Sequence, residues 1–300
     1  MKLVAITGGL GNQMFGYAFI LGLSKKYDVY IFHPYKDNSK KYGHAGYQLE
    51  ELFKLRPEDY KRHVGVMALG VYWHIMRIFP KKVRQVMFRL VRIKITKVAQ
   101  NFVFYPEILQ PVKKSELFMG TWQSEKYFQG AEQEVREALT FKENLLNDKT
   151  RQLKEKLAQC ESVSLHVRRD DYLSSHYAKG FGGICTLPYY KAAVDYIKEH
   201  VAIPIFFVFS DDIDWCRVNL DIPNAVFVDW NKGKESWQDL FLMSKCHHNI
   251  IANSSFSWWG AWLNSNPNKI VVAPKTWWNG IKDDVVPDNW IRLSGNKKET

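Results

Sequence analysis

Ser162-Val163-Ser164-Leu165-His166-Val167 is a run of small and apolar residues that ends abruptly in four charges, Arg168-Arg169-Asp170-Asp171, and then Tyr172. A short run of this kind reads as a strand buried on both faces. Such strands belong to parallel sheets that carry helices on each side. Downstream the pattern repeats: strands are expected at Ile205 to Phe209, Ala225 to Val228, Asn249 to Ala252 and Ile270 to Ala273. Helical periodicity separates them at Pro188 to Glu199, Ile213 to Asn219, Ser236 to Cys246 and Phe256 to Leu263. Alternating strands and helices specify an α/β fold wound around a parallel sheet. On such sheets ligands bind where the strands end, which is where the charged cluster sits.

Upstream, the apolar run Leu3 to Thr7 meets the glycine turn Gly8-Gly9-Leu10-Gly11-Asn12-Gln13, a largely apolar helix over Met14 to Tyr27, and a strand at Val29 to Phe32. This is the opening unit of a second parallel sheet. The region from about Lys36 to Phe104 is less regular and contains Pro57 and Pro80. The expected division is into two Rossmann-like domains, 1–157 and 158–300.

The chain has 300 residues, 46% of them hydrophobic, enough for two ordinary cores and too apolar for disorder. Aromatics make up 15%, including 11 Trp, which suits either core filling or surfaces that stack on the apolar faces of sugar rings. A formal charge of +11 draws anions of any kind: nucleic acid, an anionic membrane or a nucleotide diphosphate. No recognition motif for DNA or RNA accompanies it, and the charge is spread along the chain. Cys160, Cys185, Cys216 and Cys246 lack the spacing of a zinc site or a disulfide framework. With neither a signal-like apolar core at the start nor a spanning run, the expected location is the cytoplasm. Basic residues interleave with apolar ones across 77–97, where a basic amphipathic helix is expected, either a solvated face or a peripheral contact with the inner membrane. Asn253-Ser254-Ser255 satisfies the glycosylation sequon, which a cytoplasmic chain does not use, so those residues need another purpose.

Four segments carry chemistry. Arginines at the end of a buried strand are costly unless an anion meets them. Arg168 is the expected ligand arginine, its planar fork suited to a pyrophosphate, with Arg169 pointing away to anchor the loop or to pair with a carboxylate. His166 shares the face of Arg168 and can reach a nucleotide base. Asp211 follows the strand Ile205 to Phe209 and can accept from a ribose or from the donor edge of guanine. Asp212-Ile213-Asp214 imitates a metal-holding D-x-D pair, but the same carboxylates suit a helix's first turn, which is the preferred reading. Ser254 or Ser255 can cap the helix at Phe256, whose free N–H groups then suit a phosphate. Gly11 and Asn12 lie in a turn that lacks the third glycine of a dinucleotide fingerprint, Met14 standing there instead. Close backbone approach to a ligand is expected there, with Asn12 offering a donor and an acceptor.

Together, HVRRDDY (166–172), FVFSDDIDWC (207–216), ANSSFSWWGAWL (252–263) and GGLGNQMFGYAF (8–19) resemble the α1,2-fucosyltransferases of glycosyltransferase family 11, in particular bacterial members. The resemblance spans nearly the whole chain. It implies a GT-B type architecture with the active site in the cleft between two domains, 1–157 on the acceptor side and 158–300 binding GDP-fucose, with a galactose-terminated glycan as acceptor, inversion at the anomeric carbon and no metal or other cofactor. It places Arg168 on the diphosphate, His166 and Asp211 at the guanosine end, and Ser254, Ser255 and Phe256 at the phosphates. Asp171 is the expected general base, with pairing to Arg169 as its alternative part. The competing readings are a fucosyltransferase of another linkage, a transferase using another nucleotide sugar, and a basic nucleic-acid-binding protein. Salt-sensitive binding of an oligonucleotide more tightly than GDP would mark the last.

Overall fold

A computed structural model describes residues 2–32, 46–55, 79–80, 83, 94–98, 100–110, 115–173 and 175–295. The chain divides into two compact units, Met1–Lys142 and Glu143–Thr300. This division falls earlier than the 157/158 boundary read from sequence. The reason is the helix Asp148–Leu157, which packs on the helix Trp237–Lys245 of the second unit and is capped by Asn147, whose side chain also donates to Asn231 at 2.9 Å.

In the first unit, β1 (Lys2–Ala5), β2 (Val29–Phe32), β3 (Lys94–Lys97) and β4 (Glu116–Met119) form a parallel sheet in the order β2-β1-β4-β3. Helix α1 (Leu10–Ser24) is buried along nearly its whole length, which is why its sequence is apolar all round. Its Phe19 stacks on Trp122 at 4.2 Å and meets Phe118 and Tyr127 edge-on at 5.5 Å each. Glu116 is 1% exposed at the start of β4. Lys2 at 3.4 Å and Lys94 at 3.2 Å neutralise it, and the Thr96 hydroxyl donates to it. A buried carboxylate is tolerable only with such partners. Lys94–Lys97 therefore corrects the helix expected over 77–97: its β-branched Ile95 and Thr96 extend a sheet edge beside β4. The remainder of that basic segment, and with it the membrane contact, lies outside the described residues apart from Phe79, Pro80 and Val83. Among the described residues no helix is long and apolar enough to cross a membrane. The described residues of this unit also include two short helices, α2 (Leu49–Leu52) and α3 (Glu132–Ala138).

In the second unit, α4 (Asp148–Leu157) precedes β5 (Ser162–Val167), β6 (Ile205–Ser210), β7 (Val226–Val228), β8 (His248–Ile250), β9 (Val271–Pro274) and β10 (Ile291–Leu293). All pairings are parallel, in the order β10-β9-β8-β5-β6-β7. The connecting helices are α5 (Asp170–Leu173), α6 (Ser175–Phe181), α7 (Leu187–His200), α8 (Ile213–Asn219), α9 (Trp237–Lys245) and α10 (Ser255–Leu263). The chain builds outward from β5 through β6 to β7, then returns to lay β8 on the other edge of β5. Winding therefore reverses between β5 and β8, and the crevice beyond their carboxyl ends is where sheets of this order hold ligands. Side chains alternate along β5: Val163, Leu165 and Val167 enter a core with Tyr189, Tyr190, Ala193, Val194 and Ile197 of α7, while Ser164 and His166 face the other layer. There Asn249 donates to the Ser164 hydroxyl at 2.7 Å and to the Met243 carbonyl at 2.8 Å.

A polar network fastens α4 to α9. Asn231 donates to Asp239 at 2.8 Å, Asn147 N–H donates to Gln238 at 2.9 Å, and Trp230 Nε1 donates to Thr150 at 3.4 Å. Burial pushes the Asp239 carboxyl up to about 7, against a smaller opposing pull from the Asn231 hydrogen bond. Its folded pKa thus exceeds its unfolded one, so the folded protein holds a proton that the unfolded chain releases. Stability is accordingly expected to fall as pH rises from about 4 to about 7, the window between these values. Asp239→Asn, which keeps the acceptor for Asn231, is expected to raise the melting temperature at pH 8 and to change it little at pH 4. A variant as labile as the parent at pH 8 would contradict this account.

Candidate active site

The end of β5 is organised by two carboxylates that follow β6, because residues 166 and 167 of β5 lie in register with 209 and 210 of β6. Asp211 accepts the Arg169 backbone N–H at 3.0 Å through one oxygen and pairs with Arg168 Nε at 3.1 Å through the other. Asp212 accepts the Trp215 N–H at 3.2 Å, capping α8, and pairs with Arg169 Nε at 3.1 Å. The Arg169 guanidinium also lies 3.7 Å from the centroid of Trp215. Arg169 is thereby stacked, paired and tied down, the anchoring part expected of one of the two arginines. Arg168 keeps about a third of its side chain exposed, at 32%, with its guanidinium 5.8 Å from the Tyr172 ring. A fork held at Nε has a fixed plane, which is the preorganisation that recognition of a phosphate pair requires.

His166 is 4% exposed and lies 5.9 Å from Phe256, ring to ring. Burial, reinforced by the nearby positive charge of Arg168, lowers it to about 3, so the imidazole is neutral. Its Nδ1 has no hydrogen-bond partner among the described residues. Such a buried group left unmet costs about 1–3 kcal/mol, a penalty that a ligand's polar edge would remove. The neighbouring β8 leads into the α10 turn. Ser254 accepts the Phe256 N–H at 3.4 Å, capping α10, with half-buried Ser255 and Phe256 in the first helical turn. β5 and β8 pair directly, with residues 163–165 opposite 248–250, so their following loops are neighbours on the carboxyl edge of the sheet.

Asn253, 1% exposed, joins these pieces. Its amide donates to the Phe181 carbonyl at 3.2 Å and to the Trp277 carbonyl at 3.3 Å, its Oδ1 accepts from the Cys185 thiol at 3.4 Å, and its backbone carbonyl accepts the Tyr172 hydroxyl at 2.9 Å. This is the purpose that the sequon residues lacked in the sequence. An asparagine buried and bonded in this way is closed to glycosylation in the folded state. Tyr172, Asn253 and Trp277 had no assigned parts in the sequence reading. The signals available were the last letter of the HVRRDDY segment, the unexplained sequon and the tandem Trp277-Trp278.

Asp171 lies in the short helix α5, its side chain outside what the structure describes. Gly11 and Asn12 belong to the first unit, in the first turn of α1. There Gln123 donates to Asn12 Oδ1 at 2.6 Å, and Asn12 packs beneath Gly8, whose φ of +81° and proximity to the Asn12 amide, 2.8 Å from where a Cβ would stand, require glycine. Neighbouring Gln13 ties this turn to the residues before α2, donating to the Gly46 carbonyl at 2.7 Å and accepting the Gln48 N–H at 3.0 Å. Asp212, the first member of the D-x-D pair, is committed to Arg169 and the helix cap, and among the described residues no cluster of metal-ligating side chains occurs.

The chain is 33% identical to an α-1,2-colitosyltransferase of Escherichia coli over 96% of its own length and 97% of that protein. It is 28% identical to galactoside α-(1,2)-fucosyltransferase 1 of Ateles belzebuth over 53% of its length and 45% of the relative. The fold is similar to that of NodZ α1,6-fucosyltransferase co-crystallised with GDP, with a TM-score of 0.51 at 13% identity, covering 86% of this chain and 91% of that one. The model of glycosyl transferase family 11 matches residues 103–294, a span that contains both arginines, the carboxylates that hold them and the α10 turn, and the protein is a glycosyltransferase belonging to that family.

Proposed function

We propose that the protein transfers L-fucose from GDP-fucose to the 2-hydroxyl of a galactose residue in a glycan, with inversion at the anomeric carbon and without a metal ion. The observation that carries this reading is Arg168, held at Nε by Asp211 on the carboxyl edge of the sheet where winding reverses. Departure of GDP concentrates charge on the diphosphate, and a preorganised guanidinium there stabilises the transition state without reorganising. The α10 N-terminus adds backbone N–H groups suited to the same phosphates. Neutral His166, with its unmet Nδ1, suits the guanine edge. Asp211, beside Arg168 at the end of β6, is of the chemical type to accept from a ribose or from the donor edge of guanine. Gly11 and Asn12 are proposed ligand contacts in the first unit on the chemical grounds given above.

Inversion requires the acceptor oxygen to attack opposite the leaving group, through a transition state of oxocarbenium character, and to lose its proton. Asp171 is the proposed base. Its alternative part, pairing with Arg169, is already served by Asp212.

A second donor is supported by the 33% identity to a colitosyltransferase along nearly the whole chain. Colitose is L-fucose without its 3-hydroxyl, so a pocket that hydrogen-bonds this hydroxyl would favour fucose strongly and one that packs against its absence would not. The test is incubation with labelled GDP-fucose and, in parallel, GDP-colitose, over a panel of galactosides, with linkage analysis of the product. An α1,2-fucosylated galactoside supports the reading. Transfer from GDP-colitose alone replaces the donor, and calorimetry in which the protein ignores GDP and both sugars removes the reading altogether. Activity is expected to persist within about twofold in excess EDTA, since arginine and helix N–H groups take the place of a metal at the leaving group. Restoration of a chelated enzyme only by manganese would return Asp212 and Asp214 to consideration.

A further inference from the structure

Sequence alone left Asn12 both a donor and an acceptor; the structure removes one of the two. Strands β1 and β4 are parallel neighbours, with Val4 opposite Phe118. The segments that follow them, 8–12 and 120–124, therefore meet on the carboxyl edge of the first sheet, the edge at which sheets of this kind hold ligands. Asn12 is half-buried in the first turn of α1. Its Oδ1 accepts from Gln123 Nε2 at 2.6 Å, and its Nδ2 lies over Gly8, 2.8 Å from where a Cβ would stand. A side-chain amide whose oxygen is taken has N–H donors left to offer. Among the described residues no acceptor meets them.

Gln123 is held as firmly as the amide it grips. It is 7% exposed, in a turn that α1 clamps a second time two turns on from Asn12, where Phe19 of the same helix face stacks on Trp122 at 4.2 Å. Tyr127 meets that indole edge-on at 5.5 Å, and the Ser124 N–H donates to the Trp122 carbonyl at 2.8 Å. Trp122 has a φ of +53°, a left-handed conformation that is costly for a bulky residue and is sustained here by this packing. In the same turn the hydroxyls of Thr121 and Ser124 and the indole N–H of Trp122 are buried without a hydrogen-bond partner among the described residues. A turn built for stability alone would satisfy its own polar groups. This one leaves three unmet and directs its longest polar side chain at Asn12.

We propose that Gln123 is a positioning residue that fixes which edge of the Asn12 amide faces the ligand. By occupying the oxygen, it leaves Asn12 to recognise an oxygen lone pair and to turn away a donor hydrogen. Two sources supply such an oxygen, a hydroxyl of the acceptor sugar and the diphosphate of the donor. The inference rests on the ligand contact assigned to Asn12 under Proposed function and adds to it a residue after β4.

The first test needs no turnover. In NMR spectra of isotope-labelled protein, the Asn12 side-chain amide resonances, assigned by their loss in Asn12→Ala, are expected to shift on addition of lactose or of GDP, and the probe that shifts them identifies the source of the oxygen. Gln123→Ala and Gln123→Glu should weaken that response at least about threefold, the second although it keeps the size of the side chain, because a carboxylate cannot donate to Oδ1 and draws the amide N–H groups to itself. In transfer assays each is expected to lower kcat/KM about tenfold, through a higher KM for the matching substrate, the loss expected of one weakened hydrogen bond. In an Asn12→Ala background the same substitutions should add less than about twofold, as a residue acting through Asn12 requires. Losses of equal size in both backgrounds mark Gln123 as merely structural and overturn the proposal. So do resonances that neither probe moves, or that move as far in both Gln123 variants as in the wild type. A response to lactose that depends on Gln123, in a protein that ignores GDP, upholds the positioning and removes the donor reading instead.

Discussion

Arg168→Ala is expected to lower the rate of sugar transfer at least about a hundredfold, equivalent to about 2.7 kcal/mol of transition-state stabilisation. The effect should appear mainly in kcat, because charge on the diphosphate grows as the bond to the sugar breaks and the guanidinium gains most at that moment. Arg168→Lys should recover little. A point charge on a flexible stem does not reproduce a fork whose plane is set by Asp211, and a lysine cannot use its single nitrogen both to meet that carboxylate at 3.1 Å and to span two phosphate oxygens. Asp211→Asn should therefore show a smaller loss of the same kind, with the arginine present but unheld. Steady-state kinetics on purified variants with GDP-fucose and an accepted galactoside decides the matter, and near-wild-type turnover in Arg168→Ala would remove this arginine from the mechanism.

The second large effect is on stability. Asn253→Ala deletes two donors and one acceptor from a residue that is 1% exposed, so the carbonyls of Phe181 and Trp277 and the Cys185 thiol each lose a partner. Each unmet group costs about 1–3 kcal/mol, and partial relaxation brings the expected total to about 3 kcal/mol. For a unit of this size the melting temperature should drop by about 6–12 °C. Asn253→Asp is expected to fare no better, because a carboxylate supplies no donor to the two carbonyls and brings a charge into a dry site. Thermal unfolding followed by circular dichroism is the measurement. A loss below about 1 kcal/mol would mean that the three segments are held by their packing alone.

Much of the second unit is legible in the sequence because its signals are local. Strand β5 and helix α8 fall at the residues expected of them, since a buried parallel strand is apolar throughout and a helix opening on Asp212 carries its own cap. The part played by Arg169 also followed from geometry, consecutive residues near a strand end pointing apart. What escaped reading depends on distant partners. Glu116 looks like a surface residue until Lys2 and Lys94 are brought to it, so the strand it begins was not expected. Ile291–Leu293 is a half-buried edge strand of three residues with no periodicity to detect. Asn253 reads as a sequon because its partners lie at residues 172, 181, 185 and 277. The boundary expected at 157/158 leaves α4 with the first unit, yet the helix belongs with α9, some eighty residues onward.

The return of the chain to β5 after β7 also bears on how the protein is made. As synthesis proceeds from the amino terminus, β5 acquires β6 on one side while its other side, a row of unpaired backbone N–H and C=O groups, stays open until His248–Ile250 leaves the ribosome. The loop bearing both arginines is thus translated some eighty residues before the strand that completes its surroundings. Until then the nascent chain carries an adhesive edge beside that loop, and the surroundings of both arginines are completed only late in synthesis.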